Sequence, residues 1–116
     1  PFVSVDPLLG LPGVRAAIID SGVPVIAVSP IVSGMALKGP AAKMMAEMGM
    51  PVTALGVAEH YHGLVNCFVL DQADATLADD IEALGMRAAV TSTVMQSLTD
   101  REQLAQTVLA LAREMN

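Results

Sequence analysis

Aromatic residues are nearly absent from this chain: two Phe, one Tyr and no Trp among 116 residues. Basic residues are also few, six Lys and Arg against twelve Asp and Glu, which leaves a formal net charge of −6. With neither a basic patch nor an aromatic stacking platform, no nucleic acid partner is expected. The single Cys, Cys67, excludes an internal disulfide, and the simple inference is a reducing, cytoplasmic setting. Long apolar runs are missing too. Pro, Gly or a charge interrupts each one well before the ~20 residues that a membrane-spanning helix needs, so no membrane partner is expected. No targeting signal is visible.

What the chain has in excess is apolar character. It is 53% hydrophobic, with a mean hydropathy of +0.57, above the ~45–50% of typical globular chains. A small domain has much surface to cover and should be less apolar than average. The excess implies faces buried against something else, either the remainder of a longer chain or a second copy in a homodimer.

The pattern along the chain is helix and strand in alternation. Pro12 opens a helix that Gly22 closes. Val25 to Val28 is a short, continuous apolar strand of the kind found inside parallel sheets. Pro40 to Met48 is helical and stops at Gly49. Thr53 caps a helix running to about Leu64, and Cys67 to Leu70 is the second strand. Asp74 or Thr76 caps a helix to Leu84, stopped by Gly85. Arg87 to Thr91 is the third strand. Thr99 and Glu102 form a capping-box pattern for a last helix, on which Leu104, Val108, Leu111 and Met115 make one apolar stripe. The expectation is an α/β fold: a Rossmann-like parallel sheet of about three strands in one domain, with helices on both faces.

Ligands of open α/β sheets bind beyond the carboxyl ends of the strands. That rule selects Ser29 to Lys38 after the first strand, Asp71 and Asp74 after the second, and Thr91 to Thr93 after the third. The first combines most chemistry. Ser29 and Ser33 offer hydroxyls, Pro30 shapes the loop, and Gly34 and Gly39 let a ligand approach the backbone. Lys38 carries the only full positive charge there. Such a loop before a helix N-terminus suits a phosphate, although turn chemistry alone accounts for many Gly/Ser/Pro loops and neither familiar glycine-rich phosphate motif is present. Asp71 and Asp74 are weak candidates for a divalent metal or a ribose hydroxyl; the plain alternative makes Asp74 a helix cap and Asp71 a solvated turn residue. His60 and His62, two apart on a helix, point to different faces and cannot chelate one ion together. Cys67 reads as an inert core thiol. Five of the eight Met fall between Met35 and Met50, as adaptable core packing or as a soft wall against a flat ligand.

Several collinear motifs carry a family resemblance over nearly all of the chain. Ser29-Pro30-Ile31-Val32-Ser33-Gly34-Met35-Ala36-Leu37-Lys38-Gly39-Pro40 is similar to the S-P-I-[VI]-G-G-x-A-x-K-G-P segment of the 2-phospho-L-lactate transferase family. Phe2-Val3-Ser4-Val5-Asp6-Pro7, Leu11-Pro12-Gly13-Val14-Arg15, Ala54-Leu55-Gly56-Val57-Ala58, Phe68-Val69-Leu70-Asp71 and Val90-Thr91-Ser92-Thr93-Val94-Met95 resemble further family motifs in the same order. Ser33 and Met35 depart from the pattern, Ser33 standing where the first Gly of a pair is usual. The resemblance implies transfer of a phospholactyl group, or a related phosphoenolpyruvyl or phosphoglyceryl group, from a guanosine diphosphate-linked donor. The acceptor would be a deazaflavin precursor of coenzyme F-420, and GMP would leave. It further implies that residues 1–116 form the C-terminal part of one transferase domain. Mg²⁺ and its ligands would then belong to an absent N-terminal part, and these residues alone would be inactive. Ser29, Pro30, Ser33, Gly34, Lys38 and Gly39 would contact substrate phosphate, with no catalytic base assignable. A non-catalytic nucleotide- or nucleotide-sugar-binding relative, or an assembly module, remains the alternative, because a shared sheet need not mean a shared activity.

Overall fold

A computed structural model describes residues 4–36 and 40–115. Two short helices, α1 (Asp6–Leu9) and α2 (Val14–Asp20), precede the first strand, β1 (Ile26–Val28). A small hairpin, β2 (Ile31–Val32) and β3 (Met35–Ala36), follows at once. Helices α3 (Ala41–Glu47) and α4 (Ala54–His60) lead to β4 (Cys67–Asp71). A 3-10 turn over Gln72–Leu77 and α5 (Ala78–Glu82) lead to β5 (Arg87–Thr91), and α6 (Leu98–Glu114) closes the described chain.

The sheet has the expected class. Its order is β1-β4-β5 with both pairings parallel, in register from Ile26 opposite Cys67 to Val28 opposite Val69, and from Cys67 opposite Arg87 to Asp71 opposite Thr91. β4 is central, and all five of its residues are buried. Successive side chains in a strand alternate between faces, and the two faces of β4 feed two separate cores. Phe68 and Leu70 pack with Ile31, Met45, Ala54, Val57, Ala58 and Ile81 from the hairpin and helices α3 to α5. Cys67 and Val69 meet the α6 stripe of Leu104, Leu111, Val108 and Met115. Helices therefore cover both faces, as an apolar parallel strand requires.

Thr53 caps α4, its hydroxyl accepting the Gly56 amide at 3.0 Å. The helix stops at His60, four residues before the expected end, because the chain turns at Gly63 and the Leu64 and Val65 amides fold back on the Tyr61 carbonyl. The cap of α6 also differs from expectation. Ser97, rather than Thr99, accepts the Asp100 amide at 3.1 Å, and Asp100, rather than Glu102, reaches back to the Gln96 amide at 2.9 Å. Two overlapping Ser/Thr-x-x-Asp/Glu patterns stand here, and the earlier one starts the helix sooner. Of the methionines, Met45 is fully buried in the core, whereas Met35 and Met48 are exposed, so the cluster is only partly a packing device.

Gly56 is the tightest point of the larger core. A Cβ there would sit 2.1 Å from the Pro51 carbonyl oxygen and 3.2 Å from Met45 Cε. Backbone cannot give way as a side-chain tip does, so Gly56→Ala is expected to destabilise the fold by about 1–3 kcal/mol, as overpacked cores do. Thermal or denaturant unfolding of the variant measures this, and an unchanged midpoint refutes it.

Candidate functional site

The carboxyl ends of β1, β4 and β5 lie side by side, and two aspartates tie their loops together. Asp71 closes β4. Its Oδ1 accepts the Thr93 amide at 2.8 Å and the Thr93 hydroxyl at 3.1 Å, and its Oδ2 accepts the Ala73 amide at 2.9 Å. Asp71 is therefore the cap of the 3-10 turn and, at 8% exposure, is not the solvated turn residue expected from the sequence. Burial by itself would push its carboxyl up, but the amides of Ala73, Thr93 and Val94 and the Thr93 hydroxyl outweigh burial and hold it below its ordinary value. Charge on this carboxylate is what the donors prefer.

Asp74 is also 8% exposed, and it does not cap a helix. It sits at a kink in the 3-10 turn, with φ −108° and ψ 18°. Both carboxylate oxygens approach the Ser33 amide, at 3.2 and 3.1 Å. The expected places after β1 and β4 are thus joined through Ser33 and Asp74, and those after β4 and β5 through Asp71 and Thr93. From the sequence Thr91 to Thr93 is a ligand place or plain turn chemistry; that Thr93 meets Asp71 could not be read there, because a partner 22 residues away leaves no local signal.

Ser29 to Ala36 is not a plain loop. Ile31 pairs with Ala36 and Val32 with Met35, around a two-residue turn of Ser33 and Gly34. Both turn residues have positive φ, 51° and 78°, as a type I′ hairpin turn demands. Ser29 is buried, and its hydroxyl is engaged inside its own loop, donating to the Ile31 carbonyl at 3.0 Å and accepting the Ile31 amide at 3.2 Å. Pro30 is half-buried and lines a 260 Å³ apolar groove along β1 with Val5, Val28, Val57 and Tyr61. Ser33 and Gly34 are exposed at the tip. Lys38 and Gly39 lie outside the described residues. On the α6 side, a cleft of about 460 Å³ opens beside Thr91 and Ser92, walled by Gln103, Gln106 and Thr107.

Among the described residues, no three His, Cys, Asp or Glu side chains come together to hold a metal ion. The donors around Asp71 and the amide in front of Asp74 make both carboxylates hydrogen-bond acceptors within the fold. His60, on the last turn of α4, meets Asp6. Its Nε2 lies 2.6 Å from Asp6 Oδ2, while the Tyr61 hydroxyl donates to Asp6 Oδ1 at 2.7 Å. Burial, then the Asp6 hydrogen bond and charge, push the Tyr61 phenol up, well away from titration near neutrality. This cluster joins residues 54 and 55 positions apart, which no periodicity could reveal. His62 lies apart on the surface, its carbonyl accepting from Arg15 at 3.1 Å. Cys67 is fully buried. Burial raises its thiol pKa, with Glu114 adding to the rise and Arg87 opposing it, which keeps it the unreactive core residue that its strand position suggested.

The model of the family described as 2-phospho-L-lactate transferase CofD matches residues 1–110. A phosphoenolpyruvate transferase of Streptomyces coelicolor is 39% identical over 116 residues, covering 99% of this chain and 36% of that relative. A 2-phospho-L-lactate transferase of Methanosarcina acetivorans is 38% identical over 111 residues, 96% of this chain and 36% of the relative. One from Methanocaldococcus jannaschii is 34% identical over 109 residues, 94% and 33% respectively. The chain thus spans about a third of the length of the curated relatives it matches.

Two stability outcomes are expected. The Asp71 carboxyl is depressed in the folded state, so its contribution is present above the unfolded value of about 3.9 and is lost as pH falls through the lower folded value. Asp71→Asn should flatten that acid limb in denaturant titrations and cost roughly 1–3 kcal/mol near neutrality, because a buried donor loses its acceptor. A variant with the parental acid limb would contradict this. At Ser33, the left-handed backbone costs ~1–2 kcal/mol for a residue with a Cβ, and glycine gives back ~0.5–1 in unfolded-state entropy. Ser33→Gly should therefore raise stability by about 0.5–1 kcal/mol, read from the same titrations.

Proposed function

The chain belongs to the 2-phospho-L-lactate transferase family, and from that premise we propose that it supplies the carboxyl-edge loops of a longer transferase, as the C-terminal portion of its α/β domain. The enzyme moves a three-carbon phospho-acid group, phospholactyl, phosphoenolpyruvyl or phosphoglyceryl, from a guanosine diphosphate-linked donor. The acceptor is the side-chain hydroxyl of a deazaflavin precursor on the way to coenzyme F-420, and GMP leaves. The observation that carries this reading is the family match across residues 1–110, which runs straight through the loops gathered at one edge of the sheet. Relatives named for phosphoenolpyruvate and for 2-phospho-L-lactate resemble the chain almost equally, at 39% and 38%. The two groups share a phosphate and a carboxylate, so the reading commits to that chemistry.

Transfer of this kind asks little covalent chemistry of the protein; positioning and neutralisation of phosphate charge carry most of it. On this reading Lys38 supplies the neutralising charge. The Ser33 amide is held by Asp74, so the Gly34 and Gly39 amides are the ones that approach donor oxygens, and Pro30 fixes the entry of the hairpin. The Ser29 hydroxyl, engaged by Ile31, holds the loop rather than the ligand. Mg²⁺ would neutralise the donor's diphosphate, held by residues outside this segment. A cytoplasmic setting and a homodimer belong to the same proposal. Among the described residues, no helix is long and apolar enough to cross a membrane.

In the full-length protein, Lys38→Ala should weaken donor binding much more than acceptor binding. Loss of one charge-assisted contact is worth on the order of 1.5–3 kcal/mol. Calorimetric titration of both ligands measures the difference, and unchanged donor affinity refutes the role given to Lys38.

A further inference from the structure

We propose that the outer edge of β1 is an interaction surface, and that its partner is a strand running parallel to β1, supplied by the remainder of the transferase chain. The inference rests on the reading that these residues belong to a longer transferase. The surface itself rests on the geometry of the sheet.

Backbone hydrogen bonds show which side of β1 is committed. The Val25 carbonyl accepts the Asn66 and Cys67 amides at 2.8 and 3.2 Å, and the Ser29 amide donates to the Val69 carbonyl at 2.8 Å. In a parallel ladder, alternate residues turn their amide and carbonyl to opposite neighbours. Val25, Ala27 and Ser29 therefore face β4. Ile26 and Val28 turn theirs outward, where no strand stands among the described residues. The 260 Å³ groove runs along this edge, and Val5, Val28, Val57 and Leu64 give it apolar walls. The Tyr61 hydroxyl, the polar tip among its lining side chains, is engaged by Asp6.

The opposite edge of the sheet is built differently. On β5 the Arg87 amide donates to the Asn66 carbonyl, so by the same alternation Ala88 and Val90 turn outward. Val90 is about as exposed as Val28, 43% against 38%. Yet β5 begins at Arg87, which is ion-paired with Glu114 at 2.7 Å, and the cleft beside its far end is walled by Gln103, Gln106 and Thr107. Charged and polar side chains keep a terminal edge from recruiting strands. None stands on the run from Val25 to Val28. Length then supplies the occupant. The chain covers 36% of the Streptomyces coelicolor and Methanosarcina acetivorans relatives, so a transferase of that size has most of its residues still to place. The strands follow one another across the sheet in chain order with parallel pairings, and β1 offers the uncharged edge on which that order continues. Two copies joined through β1 by a twofold axis normal to the sheet would instead run antiparallel. With a parallel neighbour β1 becomes an internal strand, and the hairpin leaving its carboxyl end stands over the middle of the sheet rather than its rim.

The test is residue-resolved hydrogen exchange by NMR on the unaltered full-length protein. The Ile26 and Val28 amides should exchange roughly a hundredfold more slowly than the Val90 amide, and dilution of the protein should leave the ratio unchanged. A Val28 amide that exchanges as fast as that of Val90 overturns the proposal. A strand must bond both outward amides, so protection of one alone overturns it as well. Protection lost on dilution would assign the edge to a second copy. Close Hα–Hα contacts from β1 to its new neighbour, the mark of an antiparallel pair, would refute the parallel direction. Two variants give an independent readout. Val28→Lys should lower the thermal midpoint by about 5 °C or more, and Val90→Lys by less than about 2 °C; equal shifts contradict a covered β1 edge. The exchange measurement needs no variant to fold. A full-length protein that protects Ile26 and Val28 but transfers no phospho-acid group keeps the strand and refutes the transferase reading.

Discussion

Strand β4 is buried along its whole length, and that constraint organises everything around it. Both faces need apolar cover and both edges need hydrogen-bonded neighbours, because an unpaired buried amide costs as much as a lost hydrogen bond. β1 and β5 meet the edges. The hairpin with α3 to α5 meets one face and α6 the other. Since all three strands run the same way, their carboxyl ends must come out together, and loop residues 41 positions apart in sequence become neighbours without any local signal that they should.

Much of this was legible because it is periodic. The apolar run Cys67 to Leu70 has no polar alternation, which only a strand covered on both faces tolerates, and it is buried throughout; the similar run Val25 to Val28 does give a strand, but an edge strand only partly buried, with Val28 exposed. The α6 stripe from Leu104 to Met115 repeats at helical spacing. What was not legible depends on contacts between distant positions or on competition between equivalent local signals. Asp71 took the capping part expected of Asp74, capturing the free amides of the turn, while Asp74, buried rather than capping, receives the Ser33 amide. Ser97 and Thr99 each begin a sound capping pattern, and the structure uses the earlier one. Asp6 gave no hint that it would meet His60 and Tyr61.

The candidate site is therefore built from acceptors that hold backbone. Asp71 and Asp74 receive amides from three different loops, which converts flexible connections into fixed ones without adding a rigid element. Ser33 fits the same logic. It stands at a left-handed turn position that favours glycine, and the amide that Asp74 receives is its own.

Cys67 has a consequence of a different kind. It is the only thiol in the chain, sits on the central strand with no exposed surface, and is roofed by α6. A thiol reagent can reach it only when that helix lifts or the strand separates, so the rate at which the protein is labelled is the rate at which its sheet opens, weighted by how often it opens. The chain carries its own clock for breathing of the layer between sheet and last helix, readable at a single atom and without introducing any foreign probe.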